Sequence, residues 1–374
     1  MKKLLAILLL AAMVFTLAAC GGNSTTPAAP EANAPGTEAP AADAPEVEAP
    51  AEEAPADEPA EAPATGGEYK LGMGIVLNMD SSSAGNAQVD ATVAAVVTDA
   101  EGKIVMARID CVQDKMDVTD GEVDTEKTFE TKAELLDRYN MVAYSDATLE
   151  WYEQAQNFEA YVVGKTAAEV EGTETVLNDE GHTVAVDETL YASVSISIED
   201  FIGAIVKACN DEQGQTFTAD GAFTLGLAAI SSADESTPAT EDEDGVVKMY
   251  SAYGAAVVDA DGKIVAALND ATQPNITIDI DGEIVDTSFR ATKRELKEDY
   301  NMVAYSSAIS EWYVQSKAFS DWVVGKTAAE LRGTETTTNE EGYQVAVDET
   351  LFSSVTISIE DMVEVVARAA DYAR

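Results

Sequence analysis

The stretch Ala91-Thr-Val-Ala-Ala-Val-Val-Thr98, Asp99-Ala-Glu-Gly102, Lys103-Ile-Val-Met-Ala-Arg-Ile-Asp-Cys-Val112 decides the fold. Two Val-rich, alternating runs flank four residues that end in glycine, and that pattern is a β-hairpin. The same pattern returns from Gly254 to Asp270 around Asp259-Ala-Asp-Gly262. Calcium loops are the competing account of these acidic turns and of Asp117-Val-Thr-Asp120, but the rest of an EF-hand loop is missing, including its closing glutamate. Hairpin turns explain them better.

Outward from the hairpin, a third strand is expected near Met116, with a further turn at Asp120-Gly121. From Thr131 the pattern turns helical: Lys132 to Tyr139, then Leu149 to Val163, where Trp151, Phe158 and Val162 share one face. Thr166 reads as the N-cap of a short helix ending near Gly172. A last helix, Phe201 to Cys209, is expected after Ser197, with Asp200 completing a capping box. Strands first and helices later predict an α+β domain, an antiparallel sheet covered by helices.

The chain repeats itself. Asn140-Met-Val-Ala-Tyr-Ser145 recurs at 301–306, and Val162-Val-Gly-Lys-Thr-Ala-Ala-Glu169 at 323–330. Val184 to Leu190 recurs at 345–351, and Ile196 to Asp200 at 357–361. A spacing of this size is a whole domain, not a solenoid unit. Two tandem copies are therefore expected at 68–212 and 219–374, differing most at their fronts, where Ser231 to Gly245 is an acidic loop.

Before them, Met1-Lys2-Lys3, an apolar run from Leu4 to Leu17 and Leu17-Ala-Ala-Cys20 make a signal peptide over 1–19. The apolar run is too short for a spanning helix. Cys20 with its neighbours resembles the bacterial lipobox, which implies lipidation of Cys20 and a lipid-anchored position on the outer face of the cell membrane. Two acyl chains suffice for stable anchoring. Residues 20–67 form an acidic Pro/Ala/Glu linker with little apolar area to offset chain entropy, so it is read as a disordered stalk. The formal net charge of −47 argues against nucleic acid as a partner.

Two readings stand for Cys111 and Cys209, which face Ala271 and Ala370 in the second copy: a disulfide, as an exported chain allows, or two small buried hydrophobes. The single histidine, His182, is matched by Tyr343, so zinc chemistry and a Ser-His-Asp triad are poor candidates. The pairs Trp151-Tyr152 and Trp312-Tyr313 read as core on an apolar helix face rather than as a stacking platform. Hydroxyls at Ser193, Ser195 and Ser197 precede a helix, which suits either a phosphate or an edge strand followed by an N-cap.

The order of elements, and Asp187-Glu-Thr-Leu-Tyr-Ala-Ser193-Val-Ser195 with its recurrence Asp348-Glu-Thr-Leu-Phe-Ser-Ser354-Val-Thr356, resembles the FMN-binding domain of bacterial extracytoplasmic proteins. The family motif is Asp-x-x-Ser-Gly-Ala-Thr, followed one residue later by Ser or Thr. The resemblance implies that Asp187 and Asp348 stand at the motif Asp. Ser193 and Ser354 then stand at the residue a flavin transferase esterifies with FMN, and Ser195 and Thr356 at the trailing hydroxyl. Leu190-Tyr191 and Leu351-Phe352 replace the motif Ser-Gly. The implied function is a lipid-anchored electron carrier, working with redox partners and a flavin transferase, in which covalent FMN supplies the chemistry. The alternative is a surface binding or adhesion module that keeps the fold without flavin. No nucleophile–base pair recurs in both copies, which places a hydrolase last.

Overall fold

In the computed structural model, residues 66–374 are described. The expected signal peptide, Cys20 and nearly all of the acidic linker lie outside the described residues. Among the described residues no helix is long and apolar enough to cross a membrane.

The hairpin forms as read: strand β2 (Asn86–Thr98) pairs antiparallel with β3 (Ile104–Asp117). Asp99 makes the turn, its Oδ1 accepting from the N–H groups of Glu101 (3.0 Å) and Lys103 (2.8 Å). Gly102 sits at φ 78°, where a Cβ is disfavoured. The third strand is not near Met116, which belongs to β3. It is β1 (Gly67–Asn78), which pairs with the other edge of β2. The segment expected to lie between the two domains holds a fourth strand, β4 (Gln215–Ala219), giving the order β3-β2-β1-β4.

A second antiparallel sheet runs β7-β6-β5, from β5 (Phe223–Ser232), β6 (Tyr250–Asp259) and β7 (Ile264–Thr272). Its β6–β7 turn repeats the first, with Asp259 Oδ1 accepting from Asp261 (2.9 Å) and Lys263 (2.8 Å). A small three-stranded sheet, from Gly245–Lys248, Asn275–Ile278 and Ile284–Ser288, shares a core of Met79, Met116, Met249 and Ile276 with the first half. The acidic loop before it reaches back, Ala239 N–H donating to the Gly121 carbonyl at 2.8 Å.

The helices follow the reading with corrections. Lys132–Leu135 is one short helix, closed by a Thr131–Glu134 capping box and continued as a 3-10 turn to Tyr139, rather than a single helix over 132–139. Helix α1 is Trp151–Val162, and α2 (Ala167–Glu171) is capped by Thr166 as expected. The hydroxyl segment is not an edge strand. Its first part is a helix, α3 (Glu188–Ser193), because Asp187 accepts from Leu190 N–H at 2.9 Å and starts a turn. Helix α4 (Glu199–Cys209) has Ile198 as its N-cap, not Ser197; the Ser197 hydroxyl instead accepts from Thr183 N–H at 3.1 Å. In the second half, α5 (Trp312–Trp322), α6 (Ala328–Arg332), α7 (Glu349–Phe352) and α8 (Glu360–Asp371) follow in the same order.

The two sheets stack on one another, with Tyr69, Leu71, Val93 and Val97 of the first in one buried cluster with Leu225, Tyr253, Val257 and Leu268 of the second. Helices cover the outer faces: α1 and α4 on the first sheet, α5 and α8 on the second. Ala91–Thr98, expected as an alternating strand covered by helices, is covered on both faces. All eight residues are buried, because the inner face meets the other sheet and the outer face meets helices. The helices lie so close that a Cβ on Gly72 would stand 1.9 Å from the Ala208 carbonyl oxygen, and one on Gly226 1.8 Å from that of Ala369.

Polar contacts cross the seam in a reciprocal manner. Glu134 accepts from Arg368 (3.2 Å) and Tyr372 (3.3 Å) of the second half, and Glu295 accepts from Lys207 (2.7 Å) of the first. The buried pair Arg294–Asp211 closes at 3.0 Å. Cys111 and Cys209 are free thiols packed in the outer core of the first half, which settles them as small hydrophobes. Burial pushes both up to about 11, so neither is a ready nucleophile.

Candidate functional site

Between the outer face of the first sheet and its helices lies a cavity of about 500 Å³. Asp90 and Thr92 of β2 and Cys111 and Gln113 of β3 form its floor; Trp151 of α1 and Phe201 of α4 form its walls. The loop carrying Ser145 to Ala147, together with His182 and Tyr191, makes the rim. Of the residues that the FMN-binding resemblance implied, Ser195 lines this cavity, with Ile196 and Ser197 beside it.

Ser195 is held there by a residue that sequence reasoning missed. Gln154 of α1, 1% exposed, accepts at Oε1 from Ser195 N–H (2.8 Å), Ser195 Oγ (3.3 Å) and Ile196 N–H (3.3 Å), while its Nε2 donates to the Leu149 carbonyl at 2.9 Å. Gln315 treats Thr356 alike, at 2.8 Å to the N–H and 3.5 Å to the hydroxyl. The available signal was an amide on the apolar stripe of each helix, three residues after its Trp. A buried amide in such a place needs partners.

Charge in the cavity is unbalanced. Asp90, Asp146, Glu180 and Asp200 line it against one lysine, Lys132, and His182. Asp90 accepts from Gln88 Nε2 (2.6 Å) and Gln113 Nε2 (2.9 Å). Burial raises the Asp200 carboxyl, and the neighbouring Glu199 and Asp90 add to the rise while Lys132 opposes it. The Lys132 ammonium lies 5.1 Å from the centre of the Tyr139 ring and 5.6 Å from that of Trp151.

In the second half the corresponding floor position is a tyrosine. Asp90 stands opposite Asn78 in the β1–β2 ladder, and Tyr250 stands opposite Ser232 in the β5–β6 ladder. Tyr250 packs into the outer core with Tyr300, Met302, Trp312 and Met362. The Lys293 ammonium lies 4.8 Å from the Tyr250 ring, 5.1 Å from Tyr300 and 5.5 Å from Trp312. Burial pushes Lys293 down to about 8, against the pull of Asp270, Asp361 and Glu235. It raises the Tyr250 phenol well above its ordinary range, with Asp361 adding to the rise.

The remaining predicted residues lie elsewhere. Asp187 and Asp348 are N-caps, each accepting from the N–H three residues on at 2.9 Å. Ser193 ends α3, half-buried and outside the cavity lining; its hydroxyl donates to the Leu190 carbonyl at 3.1 Å and its own carbonyl accepts from Asn157 Nδ2 at 3.1 Å. Ser354 is exposed. Tyr191 and Phe352, at the place of the motif glycine, are 43% and 44% exposed.

Measured against covalently held FMN, the two halves each meet half of the requirement. The first has the cavity, but its acceptor hydroxyl is engaged within a helical turn and the lining repels a phosphate dianion. The second has an exposed acceptor hydroxyl, but Tyr250 fills the floor. Neither half joins a free hydroxyl to an open cavity, so these residues do not fit the group and no step is derived through it. Among the described residues no cluster of three or more His, Cys, Asp or Glu is placed to hold a metal ion.

No family model matches the chain, and no solved structure matches it. A chlorophenol reductase of Desulfitobacterium hafniense is 37% identical over 130 residues, a match covering 30% of this chain and 39% of that protein. The chain thus spans well under two thirds of that relative's length.

Proposed function

We propose that the chain is a lipid-anchored surface protein whose first half binds a small molecule. In this reading Cys20 holds the membrane, residues 20–67 act as a stalk, and 68–212 and 219–374 are two copies of one domain, of which the second has become a structural partner. The observation that carries it is the cavity of about 500 Å³ beside Ser195, whose floor is polar and whose walls are aromatic. That size and mixture suit a small ligand. The name of the Desulfitobacterium relative brings small aromatics into the set worth testing, beside organic cations and sugars.

The test is calorimetric titration of the full chain against that panel. Saturable binding by at least one member supports the reading, and silence from every member overturns it. Anchoring is tested separately: Cys20→Ser should release the protein from membranes into the medium.

The second reading, FMN esterified to the two serines for extracytoplasmic electron transfer, is left with Ser354 alone and outside the cavity: Ser354 is exposed, whereas the Ser193 hydroxyl is held in a helical turn. Expression with a flavin transferase decides. An unmodified mass and a colourless protein remove this reading; an added FMN mass that disappears in Ser354→Ala establishes it for the second half.

A further inference from the structure

The second half carries its own occupant at the place where the first half is open. Tyr250 and Asp90 hold matching ladder positions, and two residues on, the helix-facing side chain is Ala252 in one and Thr92 in the other. Around them the furniture is the same. Lys293, Tyr300 and Trp312 surround the Tyr250 ring; Lys132 and Trp151 line the open space above Asp90 and Thr92, with the Tyr139 ring packed against the Lys132 ammonium. Each ammonium is 5.1 Å from the first ring and 5.5–5.6 Å from the tryptophan, so the two sockets are alike to within the spread of these distances. What the first lacks is the third ring, which Lys293 meets at 4.8 Å.

We propose that the cavity of the first half takes a single-ring aromatic of the phenol class, seated over Lys132 as the ring of Tyr250 is seated over Lys293. This rests on the reading of the cavity as a binding site and names its ligand. An ammonium drawn out of water gains from each aromatic face it meets, and a ring entering here supplies the missing face. Seated that way the ring turns its hydroxyl away from the Asp90 end, because the Tyr250 Cβ springs from the matching strand position. Asp200 of α4, the counterpart of the Asp361 that neighbours the Tyr250 phenol, lines the cavity and offers the hydroxyl an acceptor. The excess of carboxylates turns away anionic rings, benzoate included, and favours a neutral phenol. A free ligand replaces the tyrosine side chain in the way that small aromatics enter cavities shaped for a ring.

The probe is p-cresol, which is the tyrosine side chain cut at Cβ, with cyclohexanol as a ringless control of similar size. Calorimetry on the full chain should show one site for p-cresol and none for cyclohexanol. Tyr250→Ala should raise the p-cresol stoichiometry to two. Lys132→Met, which leaves the second half untouched, should weaken the native site by roughly tenfold. If Tyr250→Ala does not fold, the Lys132→Met comparison still decides. Equal binding of cyclohexanol, or no effect of Lys132→Met, overturns the proposal. Silence from p-cresol while another member of the panel binds overturns the ligand class and leaves the binding-site reading standing; silence from all overturns both.

Discussion

The first half keeps Asp90 and Thr92 on the helix-facing side of its sheet, and the second keeps Tyr250 and Ala252. The consequence is a polar cavity in one and a filled core in the other. The frame around the two places is shared: the lysine among aromatic rings, the Gln that anchors the segment after the short helix, the Asp that caps it. On the proposed reading, the difference in function follows from what these two strand positions hold, while the shared parts serve the fold. The hydroxyls that drew attention in the sequence recur in both halves, as Ser193 and Ser354 and as Ser195 and Thr356, so their presence does not set this cavity apart.

Four changes test that contrast, in falling order of effect. The first concerns what the halves share. Gly72→Ala and Gly226→Ala each drive a Cβ to within 2 Å of a helix carbonyl oxygen (1.9 and 1.8 Å), so both should cost about 3–5 kcal/mol by denaturant unfolding. Gly102→Ala and Gly262→Ala, with left-handed φ but open space, should cost only about 1 kcal/mol. Similar losses in the two pairs would show that the helices can move off the sheets. The second concerns what the halves do not share: Tyr250→Ala should cost about 3 kcal/mol by emptying a packed place, and Asp90→Ala less than about 1 kcal/mol. Equal costs would break the contrast.

The third uses pH. Burial raises Asp110 and Asp270 to about 6, and Asp114 to about 7, from 3.8. For each, the folded state holds its proton more tightly than the unfolded chain, so the stabilisation is full below about pH 4 and is lost as pH rises through 6 to 7. The melting temperature should therefore fall between pH 4.5 and 8. Asp114 lies on β3 of the first half, has one carboxylate oxygen without a partner, and is matched by Pro274 in the second. Asp114→Asn should remove the fall above pH 6 and lessen it below, where Asp110 and Asp270 still contribute; an unaltered curve would remove Asp114 as a cause. The smallest effect is at the seam. Glu134→Gln should cost about 1 kcal/mol and Glu295→Gln about half that, because the Glu134–Arg368 pair is the less exposed of the two.

Much of this was legible. The Asp99–Gly102 hairpin, the Thr166 cap and the core role of Trp151 follow from turn chemistry, capping and helical spacing, and each appears in the structure. The stacking of the two sheets was not read, although Val-Ala-Ala-Val-Val at 93–97 carried the signal: a strand without polar residues is covered on both faces. Helix α3 was missed because alternating hydroxyls resemble a strand, and only the Asp187 hydrogen bond to Leu190 decides for the helix. The site was half legible. Ser195 reaches the cavity, but Ser193 does not, since residues two apart point to different sides once the chain leaves a helical turn. Asp90 and Tyr250 lie at the fronts of the halves, where the sequences diverge most. Their equivalence emerges only from the strand ladders.

The most direct measurement transfers the second half's floor into the first. The double variant Asp90→Tyr, Thr92→Ala should fill the cavity, raise the melting temperature above that of the unaltered chain, and abolish binding of any ligand that calorimetry has found. A variant that still binds that ligand with unchanged affinity would contradict the claim that this cavity is the site and that Tyr250 is its built-in substitute.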